Sequence, residues 1–161
     1  MADDASVPMI KPLIGTDEAT IDDKGRLLVS KKKRERLGED FVMALGSAGC
    51  LVVYPELVWS RMVAEILRNS STNQGRQRFT RLMVGSAEDE MRFDRQGRVV
   101  VPQKLRDAAK LTNAVLVIGC VDRLEIWAAD EWAAYQADTE GYARDRQQAF
   151  DRAHRQMTSG E

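Results

Sequence analysis

Short aliphatic runs separated by turn residues organise the first half of this chain. A strand is predicted over 19–21, then a break at Asp22-Asp23-Lys24-Gly25, then aliphatic residues over 27–29 that read as the return strand of a hairpin. The break has Asp at its first position and Gly at its fourth, as a type I turn closed by a left-handed residue prefers. Ser30 is an N-cap for a short helix over 31–37, which Gly38 can terminate. Runs over 41–45 and 51–54 read as two strands joined by Gly46-Ser47-Ala48-Gly49. Pro55 then opens a helix with Leu57, Val58, Met62, Ile66 and Leu67 along one face.

Asn69-Ser70-Ser71-Thr72-Asn73 breaks the pattern and reads as a linker. A helix over 75–84 follows, presenting Phe79, Leu82 and Met83 at helical spacing. The plan then recurs. A strand over 90–93 leads into a turn over 94–97, a return strand over 99–101, and a helix over 103–110 begun by Pro102. Strands are predicted over 115–118 and 124–127, and a helix from Asp130. Residues 140–157 read as a charged helix whose thin stripe of Tyr142, Ala149, Phe150, Ala153 and Met157 is a packing surface. Residues 1–13, with Pro8 and Pro12, are expected to be poorly ordered.

The recurrence extends to residue identity. Ile21-Asp22-Asp23-Lys24-Gly25-Arg26-Leu27-Leu28-Val29 returns as Phe93-Asp94-Arg95-Gln96-Gly97-Arg98-Val99-Val100-Val101, a shift of 72 positions (94 minus 22). Leu51-Val52-Val53-Tyr54 before Trp59 matches Leu124-Glu125-Ile126-Trp127 before Trp132 at a shift of 73 (124 minus 51). The chain is therefore two copies of one unit. A unit this small has a marginal core alone, so the halves are expected to pack on each other or on further chains. The organisation expected is an arm over 1–13, a first repeat over 14–73, a second over 74–139 and a charged tail over 140–161.

A net charge of −1 conceals segregation. Lys24, Arg26, Lys31, Lys32, Lys33, Arg34 and Arg36 form one basic set, and Arg92, Arg95, Arg98, Lys104, Arg106 and Lys110 a second. Acid collects at Asp3, Asp4, Asp17, Glu18 and Glu88-Asp89-Glu90. A neutral total is compatible with a polyanionic partner when positive charge gathers on one face. Cys50 and Cys120 read as buried small apolar residues rather than a disulfide. One histidine, His154, leaves no metal-site spacing. No aliphatic run is long enough for a bilayer, and the N-terminus lacks a signal-peptide pattern, so a cytoplasmic location is expected.

The repeated turn is where chemistry is expected. Asp22 and Asp94 can accept hydrogen bonds from the amides of their own turns, or pair with an arginine and orient it. Gly25 and Gly97 supply positive φ. Arg26 and Arg98 would then be displayed from a rigid edge, and a bidentate arginine–guanine contact is worth roughly 1–3 kcal/mol of base discrimination. Lys24 and Arg95 suit phosphates, which add affinity without reading sequence.

These residues carry a resemblance. The chain resembles the MraZ family, built of two AbrB-like (SpoVT-AbrB) domains in tandem. The mark is Asp-x-x-x-Arg within Asp-x-x-Gly-Arg-aliphatic-x-x-Pro, matched by Asp22, Gly25 and Arg26, and by Asp94, Gly97, Arg98 and Pro102. Cys50-Leu51 with Tyr54-Pro55 and Trp59, and Glu125-Ile126-Trp127 with Trp132, extend it over roughly 14–135. Ser30 stands where the family usually has Pro. The resemblance implies an α+β fold of two pseudo-symmetric β-rich lobes with interleaved strands and short helices. It implies a DNA-binding transcription regulator, typically a repressor of the division and cell-wall gene cluster, at the nucleoid. Its subunits would assemble as a homo-oligomeric ring and bind short promoter direct repeats in double-stranded DNA. Arg26 and Arg98 would be the base readers, with Lys24, Arg95, Lys32 and Arg34 as auxiliary candidates on charge. No cofactor, membrane or small-molecule substrate is implied.

Two rival readings follow. AbrB-like folds also occur in antitoxins whose flexible tail binds a partner protein, and the charged segment 138–161 is a candidate for such a tail. An enzyme is disfavoured, because no nucleophile–base pair, metal cluster or phosphate-cradling loop is visible.

Overall fold

A computed structural model describes residues 11–160. The first half runs β1 (Thr16–Thr20), β2 (Arg26–Leu28), α1 (Lys31–Leu37), β3 (Phe41–Leu45), β4 (Leu51–Pro55), α2 (Glu56–Leu67) and α3 (Gln74–Leu82). After a 3₁₀ turn at Val84–Ser86, the second half repeats that order. It runs β5 (Glu88–Met91), β6 (Arg98–Val100), α4 (Gln103–Ala108), β7 (Ala114–Gly119), β8 (Leu124–Ala128), α5 (Ala129–Ala137) and α6 (Arg144–Ser159). This is an α+β fold, and its strands are interleaved as expected.

The interleaving is complete at both edges. Six strands form one sheet in the order β1-β7-β8-β4-β3-β5, with every neighbour antiparallel. The first strand of each half thus pairs with the third of the other. Exchanging every strand for its counterpart reverses the order, so a pseudo-twofold axis passes between β4 and β8. The register fixes where. Val52 lies opposite Glu125, its own repeat counterpart, and Leu27 of β2 lies opposite Val99 of β6, again its counterpart.

The hairpin expected at 19–29 is corrected here. Ile21 meets Leu27 in a single bridge, and the return strand instead pairs with the return strand of the other half as the two-stranded β2–β6 ribbon. Three aliphatic residues do not encode which strand they will pair with. In the ribbon Leu27 and Val29 are buried over the sheet with their counterparts Val99 and Val101, which is apolar burial that favours this pairing.

Alternation along the strands builds two cores, one on each face of the sheet. Leu51, Val53, Leu124 and Ile126 point to a core closed by Leu27, Val29, Leu37, Val99, Val101 and Leu105 from the ribbon, α1 and α4. Val52, Tyr54 and Trp127 point the other way, to Val58, Ile66, Phe79, Met83, Phe150, Ala153 and Met157. Burial on both faces explains why β4 reads as an unbroken apolar run. The stripe of Phe150, Ala153 and Met157 on α6 is a packing surface. The Phe79 and Phe150 rings meet edge to face at 6.5 Å, and Gly75 lets α3 approach the α6 backbone at Gln156 and Met157. Cys50 and Cys120 are free thiols. Most of the arm expected over 1–13 lies outside the described residues, but Leu13 is buried and bridges Val121.

Ser30 and Pro102 hold the same conformation, φ −59° with ψ 147° and φ −57° with ψ 143°. The loop path is therefore shared by both copies. The Ser30 hydroxyl makes no capping bond to α1.

Candidate nucleic-acid interface

Each turn is built by its aspartate. Asp22 Oδ1 accepts the amides of Lys24 and Arg26, both at 2.9 Å, while its Oδ2 accepts Arg26 Nε at 2.6 Å. In the second copy Asp94 Oδ1 accepts the amides of Gln96 and Arg98, both at 2.9 Å. Arg98 Nε lies 3.4 Å from Asp94 Oδ2, and its Nη2 donates to Gln96 Oε1 at 3.2 Å. The two roles open to the aspartate are thus filled together, one oxygen shaping the turn and the other orienting the arginine. The Arg26 amide, then its guanidinium and the Lys24 amide, hold the Asp22 carboxyl below the ordinary carboxylate range. The amides of Arg98 and Gln96 do the same for Asp94.

Gly25 and Gly97 close the turns at φ +81° and +82°, each amide donating at 3.0 Å to the carbonyl of its turn aspartate. Their carbonyls then cross to the other half. Gly25 accepts from the Val101 amide at 2.8 Å, and Gly97 from the Val29 amide at 3.2 Å. An arginine from the other half covers each glycine. A Cβ on Gly25 would stand 2.9 Å from Arg106 Cζ, and one on Gly97 would stand 2.6 Å from Arg34 Cζ. Arg34 is steadied by donating Nε to the Val29 carbonyl at 2.9 Å, and Arg106 by donating Nη2 to Gln103 Oε1 at 2.8 Å.

The ribbon register sets the two expected readers diagonally across the ribbon, one on each strand. Arg26 lies opposite Val100, and Leu28 opposite Arg98. All four belong to the outward face, because Leu27 and Val99 between them are buried. Lys24 and Arg95 stand exposed at the turn tips, and Lys32 is exposed on α1. Arg34 sits half-buried against the opposite turn.

Arg106 was missed as a site residue by sequence reasoning, yet a signal was present. The repeat shift of 72 (106 minus 34) makes it the counterpart of Arg34. The rest of the two basic sets is largely engaged elsewhere. Lys33 is buried with Nζ 2.8 Å from Asp17 Oδ2, and Arg36 donates to the Pro12 carbonyl at 2.6 Å. Arg92 pairs with Asp40 at 2.7 Å, Lys104 with Glu88 at 2.9 Å, and Lys110 with Glu131 at 3.3 Å. Among the described residues no cluster of His, Cys, Asp and Glu could hold a metal ion, and no helix is long and apolar enough to cross a membrane.

Comparison with known proteins shows the family. The family model described as "MraZ protein, putative antitoxin-like" matches twice, over residues 13–82 and 84–153. A protein of Thermoanaerobacter sp. (strain X514) named transcriptional regulator MraZ is 38% identical over 128 residues, covering 80% of this chain and 89% of its own length. Its namesake in Bifidobacterium longum (strain NCC 2705) is 40% identical over 132 residues, 81% of this chain and 87% of that one. That of Limosilactobacillus fermentum is 41% identical over 117 residues, 73% and 81% of the two chains. With the family model matched in both halves and relatives covered over most of their length, the chain belongs to the MraZ family.

Proposed function

We propose that this chain is a transcriptional regulator that binds duplex DNA through the outward face of the β2–β6 ribbon, with Arg26 and Arg98 reading bases. The supporting observation is the ribbon register, which sets one arginine from each repeat on a single rigid, two-stranded surface. Two-stranded ribbons fit the major groove, where an arginine fork matches the acceptor pair of guanine. Both repeats of one protomer then address one short stretch of DNA. Lys24, Arg95 and Lys32, exposed around that face, contact phosphates. Arg34 and Arg106 fix the turns from behind.

A ribbon this short covers only a few base pairs, so affinity is multivalent. In this reading protomers assemble as a ring, and several engage direct repeats about 10 bp apart on one side of the duplex. The outcome is promoter occlusion at the division and cell-wall gene cluster, in the cytoplasm at the nucleoid. The assembly, the target and the direction of control rest on the family resemblance and on the relatives' name.

Gel shifts on duplexes carrying one, two or three repeats test the reading. Affinity rises by orders of magnitude with repeat number, and equal affinity for all three contradicts multivalency. Arg98→Ala abolishes much of the preference for repeat over scrambled DNA. Lys32→Ala weakens both alike and flattens the salt dependence. Unchanged preference in Arg98→Ala removes the turn from the role of reader.

A further inference from the structure

Resting on the DNA-binding reading above, we infer that Leu28 and Val100 are specificity-determining residues that read the methyl groups of thymines beside the bases read by Arg26 and Arg98. Both side chains are 56% exposed, among the most exposed large hydrophobics of the described residues. They occupy the same position in the two repeats, a shift of 72 (100 minus 28), on the same outward face. A single exposed aliphatic needs no explanation. Two at equivalent positions, each facing an arginine across a two-stranded ribbon, form a pattern.

The pattern has a chemical match. Along each strand of the ribbon a guanidinium is followed by an aliphatic group, and across the ribbon each guanidinium faces an aliphatic group. Thymine presents its C5-methyl in the major groove, and guanine presents O6 and N7. Opposed side chains in a ribbon stand about 5 Å apart, and successive base pairs about 3.4 Å, so an arginine and its facing aliphatic reach neighbouring base pairs. The partner is a polyanion rather than a second copy of this face. Arg26 and Arg98 lie on this face, with Lys24 and Arg95 exposed at its turn tips, and stacking the face on itself sets like charge against like. The pseudo-twofold through Leu27 and Val99 makes the target approximately self-complementary within one protomer's footprint, with one thymine per half.

The probe is the duplex that the full chain selects from a random pool, compared with versions in which each thymine in turn is replaced by uracil. Removing one methyl is expected to weaken binding roughly fourfold at two positions and to have no effect elsewhere. Leu28→Ala abolishes the thymine–uracil difference at one position and Val100→Ala at the other. Both retain arginine-dependent preference for the selected over a scrambled duplex, and both keep the wild-type melting temperature, since neither side chain is buried. Full replacement of thymine by uracil at unchanged affinity overturns the inference, as does an undiminished thymine–uracil difference in Leu28→Ala and Val100→Ala. Failure of the underlying reading looks different. In that case no duplex is selected, or Arg26→Ala and Arg98→Ala leave the preference intact, and the inference falls with it.

Discussion

The Arg106 guanidinium of α4 lies over Gly25, in the turn of the opposite half of the chain. Arg34 stands over Gly97 in the same way, so neither turn is completed by its own repeat. Arg106→Ala should therefore loosen a turn distant from it in sequence. We expect a melting temperature within a few degrees of wild type and DNA affinity lower by about 1–2 kcal/mol, roughly tenfold. Amide chemical shifts of Gly25 and Arg26 should move while those of Gly97 stay put. A merely local structural effect would instead be confined to α4.

Substituting the glycines separates strain from contact. Gly97→Ala meets both a left-handed φ of +82° and the Arg34 guanidinium, whereas Gly38→Ala meets a φ of +93° with nothing within 4 Å. The left-handed conformation alone costs about 1–2 kcal/mol for a residue with a Cβ. Gly97→Ala should lose at least that much, because Arg34 must also shift. Gly38, with φ 93° and ψ −179°, holds a conformation open essentially to glycine alone, so Gly38→Ala should lose about 1–3 kcal/mol from backbone strain with no contact involved. Each kcal/mol lowers the melting temperature of a chain this size by about 2–4 °C, which calorimetry resolves.

The turns, the repeat and most elements are legible in the sequence because each is local. Asp22 and Gly25 specify a bend through their own hydrogen bonds and φ. Strand partners are not local. Nothing within residues 27–29 distinguishes pairing with 19–21 from pairing with 98–100, and only the burial of Leu27 on Val99 over the sheet decides it. The facing of α1 was obscured for a related reason. In Lys31-Lys32-Lys33-Arg34 four cations in a row carry no periodicity, so inward-facing Lys33 and outward-facing Lys32 look alike. The second repeat held the answer, since Lys33 aligns with buried Leu105 (105 minus 33 is again 72).

The two oxygens of Asp94 should be separable by mutation. Asp94→Asn keeps an oxygen acceptor for the Gln96 and Arg98 amides but loses the charge that holds the Arg98 guanidinium. Asp94→Ala loses both. We expect Asp94→Asn to fold with near wild-type stability yet discriminate DNA less well. Asp94→Ala should lower stability further, as loss of a side-chain acceptor for backbone amides does at helix caps. The folded carboxyl titrates below its ordinary 3.8, so its stabilising effect is present above that value and is lost as pH falls through the depressed one. Carbon NMR titration of Asp22 and Asp94 should show both midpoints below 3.8.

The Lys33–Asp17 pair gives opposite outcomes depending on which partner is removed. Lys33's side chain is only 7% exposed, whereas that of Asp17 is 43% exposed. Asp17→Asn leaves a buried ammonium without its counter-charge. Removing one partner of a fully buried pair costs about 3–5 kcal/mol, and the exposure of Asp17 reduces the expectation to about 1–2 kcal/mol. Lys33→Leu removes the charge itself and installs the residue type that the other repeat carries at Leu105. Replacing a buried ion by an apolar side chain is commonly neutral or stabilising, so we expect stability equal to or above wild type. Acid should report the same linkage. The hydrogen bond from Lys33 depresses the Asp17 carboxyl below 3.8, so this pair contributes stability above that pH and loses it as pH falls through the lower, folded value. Lys33→Leu should then lose less stability than wild type between neutral pH and pH 3. If instead it is the less stable protein at neutral pH, the ammonium is held by more than its bond to Asp17.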